Sequence, residues 1–247
     1  MEKELEFLKN LSNEQLQPIV KLMKDRITDE LSEEAKTNPK ENIEEITNEL
    51  KKYAGNTIVN IFRGEGISYR EALEDVCKKQ KVKFNENVPT EILGEALIEK
   101  VISDSFDKMN DKEKENFLEE LKENIGEKEF EKFLKGVGGS KGFLALSGNM
   151  ILKLLVKKAG IGLYYWAVQI TVWIFHTILK QAAPKWLVFG LPLVMKRAFG
   201  ALFGPIAWVV LTAWTIVDIA SPAYRVTIPV ILYIEAIRII EKEQNNM

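Results

Sequence analysis

The most polar short loop of the chain is flanked by two arginines: Arg63-Gly64-Glu65-Gly66-Ile67-Ser68-Tyr69-Arg70. Glycines let a backbone approach a ligand closely. Two guanidinium groups can grip a phosphate or carboxylate through forked hydrogen bonds. The same octapeptide also reads as a turn between helices. Ser68-x-x-Glu71 is a capping box, and Arg63 and Arg70 have Glu65 and Glu71 nearby in sequence. That second reading needs no ligand. A second group of candidates is Asp218, Arg225, Glu235 and Arg238, the rare charges of the final apolar stretch. A charge buried there must shift its pKa, draw in water or find a partner. Asp218 with Arg225, or Glu235 with Arg238, is therefore expected to pin helices together. Lining a polar channel or meeting a partner is the alternative.

Other chemistries find little support. The single histidine, His176, excludes an HExxH site and a three-histidine zinc centre, and the single cysteine, Cys77, excludes an intrachain disulfide. His176 has no relay partner in sequence apart from a distant Asp218. Cys77 shares an apolar helical face with Leu73 and reads as a small core residue. Gly138-Gly-Ser-Lys-Gly142 lacks the G-x-x-x-x-G-K-[ST] spacing of a phosphate loop, and no strand precedes it. The acidic residues are many, but no two stand out as an acid–base pair. No catalytic residue, cofactor or metal is expected. Nucleic acid is disfavoured, because the basic residues form no dense patch in polar surroundings.

The elements that carry these residues divide the chain. It has 247 residues, 46% of them hydrophobic, and a net charge of -2. Residues 1–135 hold 23 Lys/Arg and 32 Asp/Glu, whereas residues 136–247 hold 11 and 4. The acidic part reads as short amphipathic helices. Ser12 and Gln15 form a capping box, followed by Leu16, Ile19, Val20, Met23 and Ile27 on one face. Ile43, Ile46, Leu50 and Tyr53 supply a second stripe. Ala72, Leu73, Val76 and Cys77 supply a third, and the run from Ile92 to Phe106 a fourth. Phe117, Leu118, Leu121 and Ile125 end at Gly126. No segment shows convincing strand alternation. Residues 136–142 contain four glycines, each costing a helix about 1 kcal/mol against alanine. They are expected to form a hinge.

Beyond it, 65 of the 98 residues from 143 to 240 are hydrophobic, and all five tryptophans of the chain lie there. Residues 159–179 and 198–217 contain no Asp, Glu, Lys or Arg. About 20 such residues in a helix cross a bilayer. Lysines and arginines stand at several borders, suited to anionic headgroups. Against this, Gln169, Thr171, His176 and Thr177 interrupt one stretch, and Gly200, Gly204 and Pro205 the other. Three readings stay open: a pair of membrane spans, a helical domain hiding a hydrophobic hairpin, and reversible attachment to a membrane surface. The opening decapeptide has no uncharged core or cleavage site, so no secretory signal is expected.

Two blocks carry a resemblance. Ser221-Pro-Ala-Tyr224-Arg225-Val-Thr-Ile-Pro-Val230 and Ala54-Gly-Asn-Thr-Ile-Val-Asn-Ile-Phe-Arg63-Gly64-Glu65-Gly66 resemble signatures of the bacterial YaaW-like uncharacterised protein family. Tyr69-Arg70-Glu71 and Asp75-Val-Cys77 continue the second block, and Leu5-Glu-Phe-Leu8 is similar to the family's short N-terminal module. Part of that family is grouped by similarity with ubiquinol–cytochrome c chaperones. The resemblance implies an assembly helper and brings no catalytic residue. It directs attention to Arg63, Gly64, Tyr69, Arg70, Tyr224 and Arg225. The family pattern leads one to expect glycine where Ser221 stands.

The expected fold is all-α: an acidic multi-helix bundle over 1–135, a glycine-rich hinge over 136–142, and a strongly apolar, basic helical region over 143–247. The expected function is that of a non-enzymatic helper near the cytoplasmic face of the membrane. A protein partner, an anionic membrane surface or both would be its contacts. Its expected place is the cytoplasm, with inner-membrane association open. Alternatives are a membrane-inserting or pore-forming protein, and an enzyme with a polar pocket lined by Arg63, Arg70 and Arg225. The positions singled out are Arg63, Gly64, Glu65, Tyr69, Arg70, Asp218, Tyr224 and Arg225.

Overall fold

The computed structural model describes residues 1–27, 31–55, 66–158, 162–182, 184–189 and 224–245. All regular structure among them is helical. A 3-10 helix, Lys3–Asn10, leads into α1, Asn13–Ile27. The box at its start is closed: Gln15 N donates to Ser12 Oγ at 3.2 Å, and Ser12 N donates to Gln15 Oε1 at 2.9 Å. Next come α2 (Glu33–Thr37), α3 (Ile43–Gly55), α4 (Tyr69–Lys79) and α5 (Thr90–Lys108). Ser68 and Glu71 cap α4 reciprocally, as their spacing predicts. A further box, Asn110 with Glu113, opens α6 (Asp111–Ile125), and α7 (Glu127–Lys135) follows.

The glycine-rich segment is not open throughout. Gly138 takes a left-handed φ of +83°, which costs a residue without a Cβ little. From Gly139 the chain then winds into a short helix, α8 (Gly139–Leu144). After it come α9 (Gly148–Lys158), α10 (Leu163–Trp173), a π-helical turn at Ile174–Ile178, α11 (Lys185–Phe189) and α12 (Tyr224–Gln244).

The structure corrects the expectation of a strongly apolar helical region. Among the described residues no helix is long and apolar enough to cross a membrane. Helix α10 ends after eleven residues, and the chain leaves the π turn through Lys180 at φ +54°. Helix α12 is longer, but Arg225, Glu235, Arg238, Glu241, Lys242 and Glu243 interrupt it. Its apolar positions have protein around them. Helix α12 packs on α10, α1, α5, α4 and α3, and the side chains of Val226, Ile228, residues 230–234, Ile237 and Ile240 are buried. The high apolar content reflects a helix enclosed on all sides rather than one facing lipid. The second long uncharged run, residues 198–217, lies outside the described residues.

Aromatic packing joins the two parts of the sequence. Phe106 of α5 meets Phe117 of α6 edge-on at 5.0 Å and Trp166 of α10 at 5.6 Å. Phe143 of α8 stacks on Phe117 at 6.2 Å. Such contacts add to the burial of large rings.

Candidate functional site

The polar groups with the most developed environment lie where α4, α5 and α12 meet. Glu235 falls in the apolar run of α12 and is only 1% exposed. Its carboxylate has two partners. The Tyr69 hydroxyl donates to Oε1 at 2.5 Å. Arg238, one helical turn further on, donates from Nε to Oε2 at 3.1 Å and from a terminal nitrogen to Oε1 at 3.2 Å. The arrangement is a forked, charge-assisted pair extended by a phenol. The guanidinium of Arg238 lies 4.3 Å from the centroid of the Phe7 ring, close enough for a cation–π contact.

Gly94 of α5 supplies the room. A Cβ at this position would stand 1.8 Å from Glu235 Oε2. Tyr69 is tied at its other end too. Its backbone N–H, an unpaired donor of the first helical turn, donates to Glu2 at 2.8 Å, and Glu2 also pairs with Lys51 of α3 at 3.0 Å. One residue thus joins the opening segment, α4 and the last helix.

Burial dominates the electrostatics of this cluster. It raises the Glu235 carboxyl above the ordinary glutamate range, against the opposing pull of Arg238. It raises the Tyr69 hydroxyl well above the usual tyrosine value, and the Glu235 charge pushes the same way. The Cys77 thiol is pushed up to about 12, first by burial and then by Glu235. A thiol so held is no nucleophile near neutral pH. Among the described residues no group of three His, Cys, Asp or Glu side chains stands ready for a metal. What the geometry does is lock helices.

The residues singled out in the sequence fare differently. Tyr69 is at the centre of the cluster. Arg70 faces away from it and staples the 80–89 loop. It donates to Glu74 at 2.7 Å, to the carbonyl oxygens of Val88 and Glu86, and to Thr90. Tyr224 opens α12 and receives Lys79 at 5.3 Å from its ring centroid. Burial, and then Asp75, raise the Tyr224 hydroxyl above its usual value. Arg63, Gly64, Glu65 and Asp218 lie outside the described residues. Arg225 belongs to α12, but its side chain lies outside them as well. The expected Glu235–Arg238 pair forms. Its link to Tyr69, and the roles of Gly94 and Phe7, had no local signature, because their partners are far away in sequence.

Helicobacter pylori J99 has a UPF0174 protein that is 29% identical over 206 residues, covering 82% of this chain and 73% of its own length. A UPF0174 protein of H. pylori strain 26695 is 32% identical over 195 residues, covering 78% of this chain and 86% of its own. The chain belongs to the UPF0174 family. The UPF0174 protein YaaW of Escherichia coli K12 is 26% identical over 251 residues, covering 95% of this chain and 93% of its own. Membership thus agrees with the YaaW-like resemblance. None of these descriptions names a chaperone of ubiquinol–cytochrome c assembly. No protein-family model matches the chain, and no solved structure does.

Proposed function

We propose that this UPF0174 protein is a non-enzymatic helper that acts by binding at the cytoplasmic face of the bacterial membrane. The observation that carries this reading is the distribution of charge. Residues 136–217 contain eight Lys/Arg and not one Asp or Glu, although residues 1–135 are strongly acidic. A long acid-free basic segment favours anionic surfaces.

The buried cluster supports the same view from the other side. The Glu235 carboxylate takes up the Tyr69 hydroxyl and two donors of Arg238. Arg70 is the only arginine of the enzyme alternative with a described side chain, and it is committed to Glu74 and to the loop ending at Thr90. No observation favours catalysis.

Fractionation of bacterial cells tests the proposal. The protein is expected in the membrane pellet at low salt and in the supernatant after a high-salt wash. Resistance to both salt and alkaline carbonate, or absence from membranes at low salt, would overturn it.

A further inference from the structure

Helix α9 shows one face to its neighbours and another to water. Ile151, Leu152 and Leu155 are buried, and the helix packs on α5. On the opposite side Asn149, Met150 and Lys153 are exposed and Leu154 is half-buried. Met150, Lys153 and Leu154 are three and four residues apart, so they are surface neighbours. Met150 is 52% exposed, and among the described residues only Ile92 is another large apolar side chain left so open.

The charge that α9 itself contributes is of one sign. Helix α9 carries lysines at 153, 157 and 158 and no acidic residue. Glu99 of α5 lies within electrostatic reach of Lys153, while burial and then Glu95 raise the Glu99 carboxyl above its usual range. Seven of the eight basic residues in the acid-free segment are lysines. Protein interfaces are depleted in lysine and enriched in arginine. A specific interface also needs about 800 Å² on each partner, with packed anchors, and one open methionine does not provide that. A lipid surface makes no such demand. Its headgroups accept a flexible apolar side chain, and lysine stems snorkel over them.

We propose that the outward face of α9 is the part of this chain that meets anionic lipid headgroups: Met150 enters the headgroup layer and Lys153 pairs with its phosphate or carboxylate oxygens. The proposal rests on the reading of a membrane-surface helper and names the contact.

The test is flotation of the purified full-length protein with phosphatidylcholine vesicles, with and without phosphatidylserine. The unmodified chain is expected to float with the phosphatidylserine vesicles only and to be released by high salt. Lys153→Ala should weaken partitioning about fivefold, the effect of one basic side chain near an anionic surface. Met150→Glu should weaken it further, and Met150→Trp, which keeps the site apolar and favours the interface, should strengthen it. Both positions face water, so unchanged thermal melting will establish that the three variants fold. If the unmodified chain floats with phosphatidylserine vesicles and all three variants float equally well, the α9 contact is wrong while the membrane-surface reading stands. If the unmodified chain floats with neither vesicle, or binds soluble polyglutamate instead, both are overturned. Equal flotation with both vesicles overturns the part assigned to charge.

Discussion

Tyr69, Glu235 and Arg238 show how one buried carboxylate can be made tolerable. Isolated in the core it would face a large desolvation penalty, and removing either partner leaves it uncompensated. Tyr69→Phe deletes one donor and keeps the ring. It should destabilise the protein by about 1–3 kcal/mol, the cost of an unsatisfied buried acceptor, as measured by urea unfolding. The acidity of Glu235 gives a second, pH-resolved prediction. Its folded-state pKa is raised above the ordinary value of 4.5, chiefly by burial. The unfolded chain therefore gives up the proton more readily. The stabilising contribution is complete below the ordinary glutamate range and is lost as the pH rises through the raised value. The difference in unfolding free energy between the unmodified protein and Glu235→Gln should fall across that window and then level off. A flat difference from acid to neutral pH would show that Glu235 does not titrate there.

Between elements, the decisive contact is the one α5 allows α12 to make. With no side chain at Gly94, the Glu235 carboxylate can sit against the α5 backbone. Gly94→Ala would turn Glu235 away from its partners, at a cost of about 3–5 kcal/mol, the usual result of breaking a buried ion pair. Combined with Glu235→Ala, most of that cost should vanish, since the two changes act on one contact. Thermal unfolding of the four proteins decides it. Arg70→Ala belongs to the same scale. It should raise amide hydrogen exchange over residues 80–89 while leaving α5 protected, because Arg70 ties that loop to α4. These elements also show what a sequence can disclose. The capping boxes at Ser12 and Ser68 and the apolar stripes of α1, α3, α4 and α5 were legible, because they repeat at helical spacing over a few residues. The Glu235–Arg238 pair was legible for the same reason, being one turn apart. Tyr69 lies 166 residues from Glu235, and Gly94 resembles any other glycine inside a helix. Nothing local marks either as part of the cluster. Helix α8 is not legible from glycine content, because what holds it is Phe143, which is buried and packs on Phe117 and Phe133.

For the whole molecule, the question is what covers an unusually apolar helix. The sequence leaves lipid, a partner and the acidic part of the chain as candidates, and for α12 the covering is done by α10 on one side and by α1, α3, α4 and α5 of the acidic part on the others. The dependence runs both ways. Tyr233 donates to the backbone oxygen of Gln15 at 2.7 Å, Gln15 donates to Glu241 at 2.8 Å, and Lys242 pairs with Glu95 at 3.0 Å. These links fasten the last helix across the first and the fifth. A fragment of residues 1–135 would keep the helical periodicity but expose the faces that α12 and α10 now cover. Each large apolar side chain left uncovered forfeits roughly 1.5–3 kcal/mol, and a domain has only about 5–15 kcal/mol of net stability to lose. The fragment should therefore show helical circular dichroism without a cooperative thermal transition, and should bind a hydrophobic dye, as a loosely packed state does. Adding a peptide of residues 224–245 should restore cooperativity if the missing cover is the cause. The same peptide with Glu235→Ala should restore it less well, because Tyr69 would then be buried without its acceptor. A cooperative transition in the fragment alone would mean that α12 is an addition to a finished core rather than its closing element.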